Sequence, residues 1–218
     1  MIVKGGIVNP TTWAVDKEMK SCRQILFILK EAPVRGTFDL IDHLYKGGRA
    51  ATYAAVAMWS YLLRHYGLSA KSTDWEIVKS KKNKREQNLH HVAVININDF
   101  YKKKAKGKHS NDKILLEEYS EQRHQAIERK ITEISPSIIV TGGKVVRKCL
   151  AKFSDIKCIA VRPYASVYEY TIGDVQYILL SMPHPNAMIK RSLIYQDLIS
   201  IISALPQTLT LQPNNTDE

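Results

Sequence analysis

Two prolines hold a histidine between them in the stretch Pro183-His184-Pro185. Each proline fixes its own φ and biases the residue before it toward extended geometry, so the backbone at His184 has few options. A rigid loop of this kind is a common mount for a catalytic or binding group. Two more sets of capable side chains, Lys30-Glu31 and Asn96-Ile97-Asn98, also follow short apolar runs. A carboxylate accepts protons or orients water, an amide offers both a donor and an acceptor, and an imidazole can donate or accept.

These residues need elements to position them. Residues 25–29, 91–95 and 137–141 are short apolar runs that read as buried strands, and 156–161 is a fourth strand candidate. Residues 167–171 and 175–180 read as two strands around a tight Ile172-Gly173-Asp174 turn. Helical spacing of apolar residues predicts helices over 50–66 and 187–204, and a mostly polar helix over 113–133. Gly142-Gly143 turns the chain into another helix over 144–153; such a turn suits either a bound phosphate or a tight strand-to-helix connection. Residues 1–24 have no clear pattern. Strands alternating with helices imply an α/β fold with a mostly parallel central sheet, in which ligands sit beyond the carboxyl ends of the strands. Glu31, Asn96 or Asn98, and His184 all fall at such ends.

A chain of 218 residues with 44% hydrophobic content suits one domain, expected over 1–204, with a disordered polar tail over 205–218. No apolar run approaches the roughly 20 residues of a membrane span, and the N-terminus lacks the features of a signal peptide, so a cytoplasmic protein without membrane contact is expected. Three cysteines, Cys22, Cys149 and Cys158, with no C-x-x-C spacing, argue against a disulfide framework, a zinc site or an iron–sulfur cluster. His90 and His91, adjacent on an expected strand, would point to opposite faces and not share a metal ion, so no metal or cofactor is expected. The net charge of +11 is concentrated in the runs 79–85 and 102–108, read as loops that suit a polyanion such as DNA.

Taken together, the motifs resemble the uracil-DNA glycosylase superfamily. Members carry a Gly-Glu-Ala-Pro-Gly or Gly-Gln-Asp-Pro motif after the first strand, an apolar strand ending in Asn, and a His-Pro-Ser motif before the last helix. The counterparts here are residues 25–33, 92–96 and 181–186, and the strand with the Gly142-Gly143 turn fits as well. The resemblance covers about residues 23–204. It differs in Lys30 for glycine, Val34 after the proline, Asn186 for serine, and the absence of cluster-binding cysteines. It implies a three-layer α/β/α domain with a mostly parallel four-stranded central sheet, acting as a monomer on single- or double-stranded DNA.

The chemistry implied is hydrolysis of the N-glycosidic bond of uracil, or of another deaminated or damaged base, flipped out of DNA. His184 would donate a hydrogen bond to the departing base, and Glu31 would position water or stabilise the sugar cation. Ala32 stands where some branches have the water-positioning Asp. Asn96 or Asn98 would read the base edge, while Pro33, Pro185 and Asn186 shape the pocket. An aromatic ring, among Phe38, Tyr45 and Tyr53, would stack on the base. Arg35, Lys190 and Arg191 flank the motifs and either meet phosphates or lie on solvated surface. The rival readings are a non-catalytic nucleic-acid-binding member of the same fold and a hydrolase of small nucleosides or nucleotides.

Overall fold

Alternation along the strand β2 (Ile25–Leu29) sets the layering of the molecule: Ile25, Phe27 and Leu29 enter one apolar core, Leu26 and Ile28 the other. A strand buried on both faces needs helices on both sides. The computed structural model describes residues 5–18, 23–30, 39–47, 51–65, 78, 81–98, 112–185 and 187–203. One face of the sheet is covered by α2 (Leu40–Tyr45), α3 (Ala51–His65), Leu89 of α4 (Lys82–Leu89) and α8 (Arg191–Ser203). The other is covered by α1 (Pro10–Glu18), α5 (Asp112–Glu118), α6 (Glu121–Ile134) and α7 (Lys144–Leu150). The fold is α/β, in three layers.

The sheet has seven strands among the described residues and is mixed, which corrects the expected four-stranded, mostly parallel sheet. Its centre is a parallel block in which β3 (Val92–Asn96) and β4 (Ile138–Gly142) flank β2, and β7 (Val175–Met182) follows β4. Three antiparallel strands extend it. β1 (Gly6–Ile7) joins β3, while β6 (Ser166–Ile172) and β5 (Ile156–Val161) continue from β7. The β6–β7 hairpin turns at Gly173, whose φ of 57° favours glycine. β5 is the strand expected over 156–161; most of its residues are exposed, and it forms the outer edge.

The polar helix expected over 113–133 is two helices. Tyr119, fully buried, ends the first, and the Ser120 side chain caps the second by accepting from the Arg123 amide. A serine hydroxyl satisfies one of the free amides of a first turn, so it starts a helix better than it continues one. Ser135, in the left-handed region at φ 50°, ends it. The last helix begins at Arg191, since residues 187–190 form turns after the proline-rich loop. Residues 82–85 of the first basic run open α4, so that part is not a loop. The second run, 102–108, and the tail from 204 on lie outside the described residues. No helix among the described residues is long and apolar enough to cross a membrane.

A buried ion-pair cluster ties both helical layers to the start of β3. Asp16 of α1 lies 2.6 Å from His91 Nδ1 and 3.4 Å from Arg64 of α3. Burial lowers the His91 pKa below its ordinary value. The positive charge of Arg64 adds to that, against the raising effect of Asp16. The strand begins only at Val92, so His90 and His91 occupy the turn between α4 and β3 and do not alternate on a strand.

Candidate functional site

The strand registers align one row of residues across the carboxyl edge of the parallel block. Asn96 lies opposite Leu29, and Gly142 lies opposite Met182; the β2–β4 register puts Leu29 beside Gly142. At the usual spacing of about 4.8 Å, three strand steps separate Asn96 from Met182 by about 14 Å. Asn96, Leu29 and Met182 share the sheet face that carries the α3 and α8 core, because they continue the alternation of Val94, Phe27 and Leu180.

Gly142 makes the row fit. A Cβ built there would lie 2.8 Å from Leu29 Cδ2 and 3.2 Å from Pro185 Cδ. Without one, the Leu29 side chain and the Pro185 ring close over the backbone of β4. The ends of β2 and β4 and the Pro183–Pro185 loop are therefore in mutual contact. The loop itself is a tight turn, with the Ala187 amide donating to the His184 carbonyl at 2.7 Å. Pro185 is buried, whereas His184 is exposed at the edge.

Asn96 is 1% exposed, and its amide nitrogen is buried without a hydrogen-bond partner among the described residues. Leaving such a donor unpaired costs about 1–3 kcal/mol, and native structures rarely tolerate it without a reason. Asn98 is also buried; its backbone amide donates to the Lys30 carbonyl at 3.2 Å, extending the β2–β3 pairing past the end of the strand.

A cavity of about 590 Å³ opens beside His184, on the side toward β6. His184, Pro183, Met182, Gly142 and Gly143 line it from the parallel block. Lys30 and Asp112 form its near wall, paired as an ion pair. Lys144, Arg147, Arg162, Tyr164 and Tyr168 complete it. Arg147 sits over the Tyr168 ring at 4.8 Å from the centroid. The Arg162 Nε donates to Ser200 Oγ at 3.2 Å, and the Tyr164 amide donates to Asp197 Oδ2 at 2.7 Å, which anchors this turn to α8.

The edge thus gathers Lys30, Asn96, Asn98, His184 and Pro185 at adjacent strand ends. His184 and Lys30 line the cavity; Asn96 and Asn98 do not. Glu31, Ala32, Pro33, Arg35, Phe38 and Asn186 lie outside the described residues. Tyr45 is not in the cavity lining: its ring stacks on His90 at 4.6 Å, and its carbonyl lies 3.0 Å from His90 Nε2. Tyr53 is a core residue set edge-on against His43, and burial pushes its phenol pKa up. Arg191 reaches the Met58 sulfur at 3.8 Å and Lys190 is exposed. The Gly143 amide donates to the Met182 carbonyl at 2.9 Å and Gly143 has φ 118°, so Gly142-Gly143 works as a strand-to-helix turn.

Sequence reading missed Arg147, Arg162, Tyr164 and Tyr168 as neighbours of His184. Arg162-Pro163 breaks the strand pattern, which marks a turn, but only the antiparallel addition of β5 and β6 brings that turn to the site.

Two other polar groupings have ordinary structural explanations. His124 Nε2 lies 2.6 Å from Ser154 Oγ and 2.9 Å from Glu128 Oε1, a serine–histidine–carboxylate set. Here the Ser154 hydroxyl donates to Glu128 at 2.9 Å, Tyr170 donates to the same oxygen at 3.2 Å, and Tyr119 lies 3.1 Å from His124 Nδ1. The serine proton is committed to the carboxylate, so the imidazole is not placed to activate a nucleophile. Burial pushes the Cys149 thiol up to about 11, which keeps it protonated at neutral pH. No grouping of three or more His, Cys, Asp or Glu suited to a metal ion occurs among the described residues. The chain matches no family model and no curated protein.

Proposed function

We propose that the protein is a DNA glycosylase of the uracil-DNA glycosylase type, which hydrolyses the N-glycosidic bond of a deaminated or damaged base flipped out of DNA. The observation that carries this reading is the Asn96 amide: buried, unpaired among the described residues, and in one row with the Gly142–Pro185 contact that mounts His184. An amide donor kept unpaired at the carboxyl edge of a parallel block suits a ligand that supplies the missing acceptor, such as a pyrimidine carbonyl. The α/β class, with helices on both faces of the sheet, supports this reading, while the seven-stranded mixed sheet departs from the four-stranded one that the resemblance implies.

In this mechanism the bond breaks toward a sugar cation and a base anion. Asn96 holds the base edge. His184, directed by its two prolines, donates a hydrogen bond to the carbonyl on which negative charge grows, so its contribution is larger in the transition state than in the ground state. Glu31, the residue after Lys30 at the end of the central strand, positions the attacking water or faces the sugar cation. The net charge of +11 favours a polyanionic substrate, with phosphate contacts assigned to the runs 79–85 and 102–108.

The test uses single- and double-stranded oligonucleotides carrying uracil, hypoxanthine, xanthine or a plain mismatch, scored for alkali-labile abasic sites. At least one lesion is expected to be processed, with His184→Ala lowering the rate by about 10²-fold or more. Absence of cleavage on every lesion, with salt-sensitive DNA binding retained, would replace this reading by a non-catalytic binding module.

A further inference from the structure

Among the described residues that line it, the cavity beside His184 has more positive charge than negative. Asp112 is the carboxylate among the described lining residues, and Lys30 pairs with it. Lys144, Arg147 and Arg162 have no carboxylate partner among the described residues. Both arginines are pre-oriented, Arg147 by its stack on Tyr168 and Arg162 by bonds to Ser200 and to its own neighbour's carbonyl. Held guanidinium groups with free N–H donors match the oxygens of a phosphate better than mobile lysines do. A volume of about 590 Å³ exceeds what a phosphate needs and falls in the range of small-ligand sites. The half-buried rings of Tyr164 and Tyr168 offer a wall for a sugar or base next to the charge.

We propose that this cavity binds a phosphate monoester attached to a nucleoside, with Arg147 and Arg162 gripping the phosphate and Lys144 adding charge at its mouth. A monoester carries close to two negative charges at neutral pH against one for an internal phosphodiester, so three unmatched cations favour it. Two sources share this chemistry: a free nucleoside monophosphate and the phosphorylated end of a strand. The cavity shares His184 and Pro183 with the proposed excision site, but the assay below reads binding alone, so either conclusion can fail without the other.

Affinities are measured at fixed salt for two pairs: thymidine 5′-monophosphate against thymidine by calorimetry, and a 5′-phosphorylated against a 5′-hydroxyl hexanucleotide by fluorescence anisotropy. The phosphorylated member is expected to bind about tenfold tighter or more in at least one pair, which also identifies the source. Arg147→Gln and Arg162→Gln should each remove most of that preference. Lys148→Gln, which deletes an exposed charge on the same helix outside the cavity, should leave it intact. Arg162 is exposed, so its variant keeps the test valid if loss of the Arg147–Tyr168 stack disturbs folding; thermal melts check both. Equal affinity within both pairs overturns the proposal. So does a loss with Lys148→Gln as large as that with the arginine variants, which would mean bulk electrostatics.

Discussion

Truncating Asn96 separates a functional amide from a structural one, because the two roles predict opposite signs for stability. The amide nitrogen is buried and lacks a partner among the described residues. Relieving that burial in Asn96→Ala gains about 1–3 kcal/mol. Loss of the buried amide's packing against its surroundings costs about 1 kcal/mol. The net is a protein of equal stability or up to about 2 kcal/mol more stable, a rise in melting temperature of at most about 8 °C for a chain of this size. Base excision, in contrast, should fall by about 10²-fold, since the edge of the base loses its reader. Thermal denaturation and the abasic-site assay on the same preparation give both numbers. If Asn96→Ala is destabilised by more than about 1 kcal/mol and excision persists, the amide holds the fold together and the reasoning from its unpaired donor is wrong.

Gly142→Ala forces a methyl against Leu29 and the rigid Pro185 ring, at 2.8 and 3.2 Å; it should cost about 1–3 kcal/mol by chemical denaturation and shift His184 enough to impair the site. Glu128→Ala strands the Ser154 and Tyr170 hydroxyls and His124, and should cost about 3 kcal/mol, whereas Glu128→Gln keeps an acceptor and costs less. The His91 pKa is lower folded than unfolded, so the unfolded chain takes up the proton first as pH falls. The stability tied to neutral His91 is complete above the unfolded pKa of about 6.5 and is lost on acidification from there down to the folded pKa. Melting temperatures from pH 7.5 to 5 should fall less steeply for His91→Gln than for the parent; parallel slopes would show that His91 does not titrate this way.

The local sequence placed the strands of the central block to within a residue or two and identified the polar groups that end them. Apolar runs at 25–29, 92–96 and 138–142 are buried on both faces, a pattern that surface strands do not need, and Lys30, Asn96 and His184 follow from chain position alone. Proline geometry around His184 is likewise a local property. Sequence was silent on what pairs with what beyond neighbours. β1 and α1 were missed because a two-residue strand and a weakly amphipathic helix have too few residues to carry a period. The break at Ser120 was missed because a cap and an ordinary polar helix residue look alike until Tyr119 is seen buried. Tyr45 looked as available as any ring near the first motif, and only the packing of α2 against α4 commits it to His90. Tertiary structure alone decided three things: that Gly142 lets Pro185 and Leu29 meet, that Asn96 keeps an amide donor unpaired among the described residues, and that the β5–β6 edge brings Arg162 to the cavity that Arg147 of α7 lines. Each depends on contacts between segments far apart in the chain. Local periodicity reports which face of an element is buried, but not which residues from elsewhere bury it.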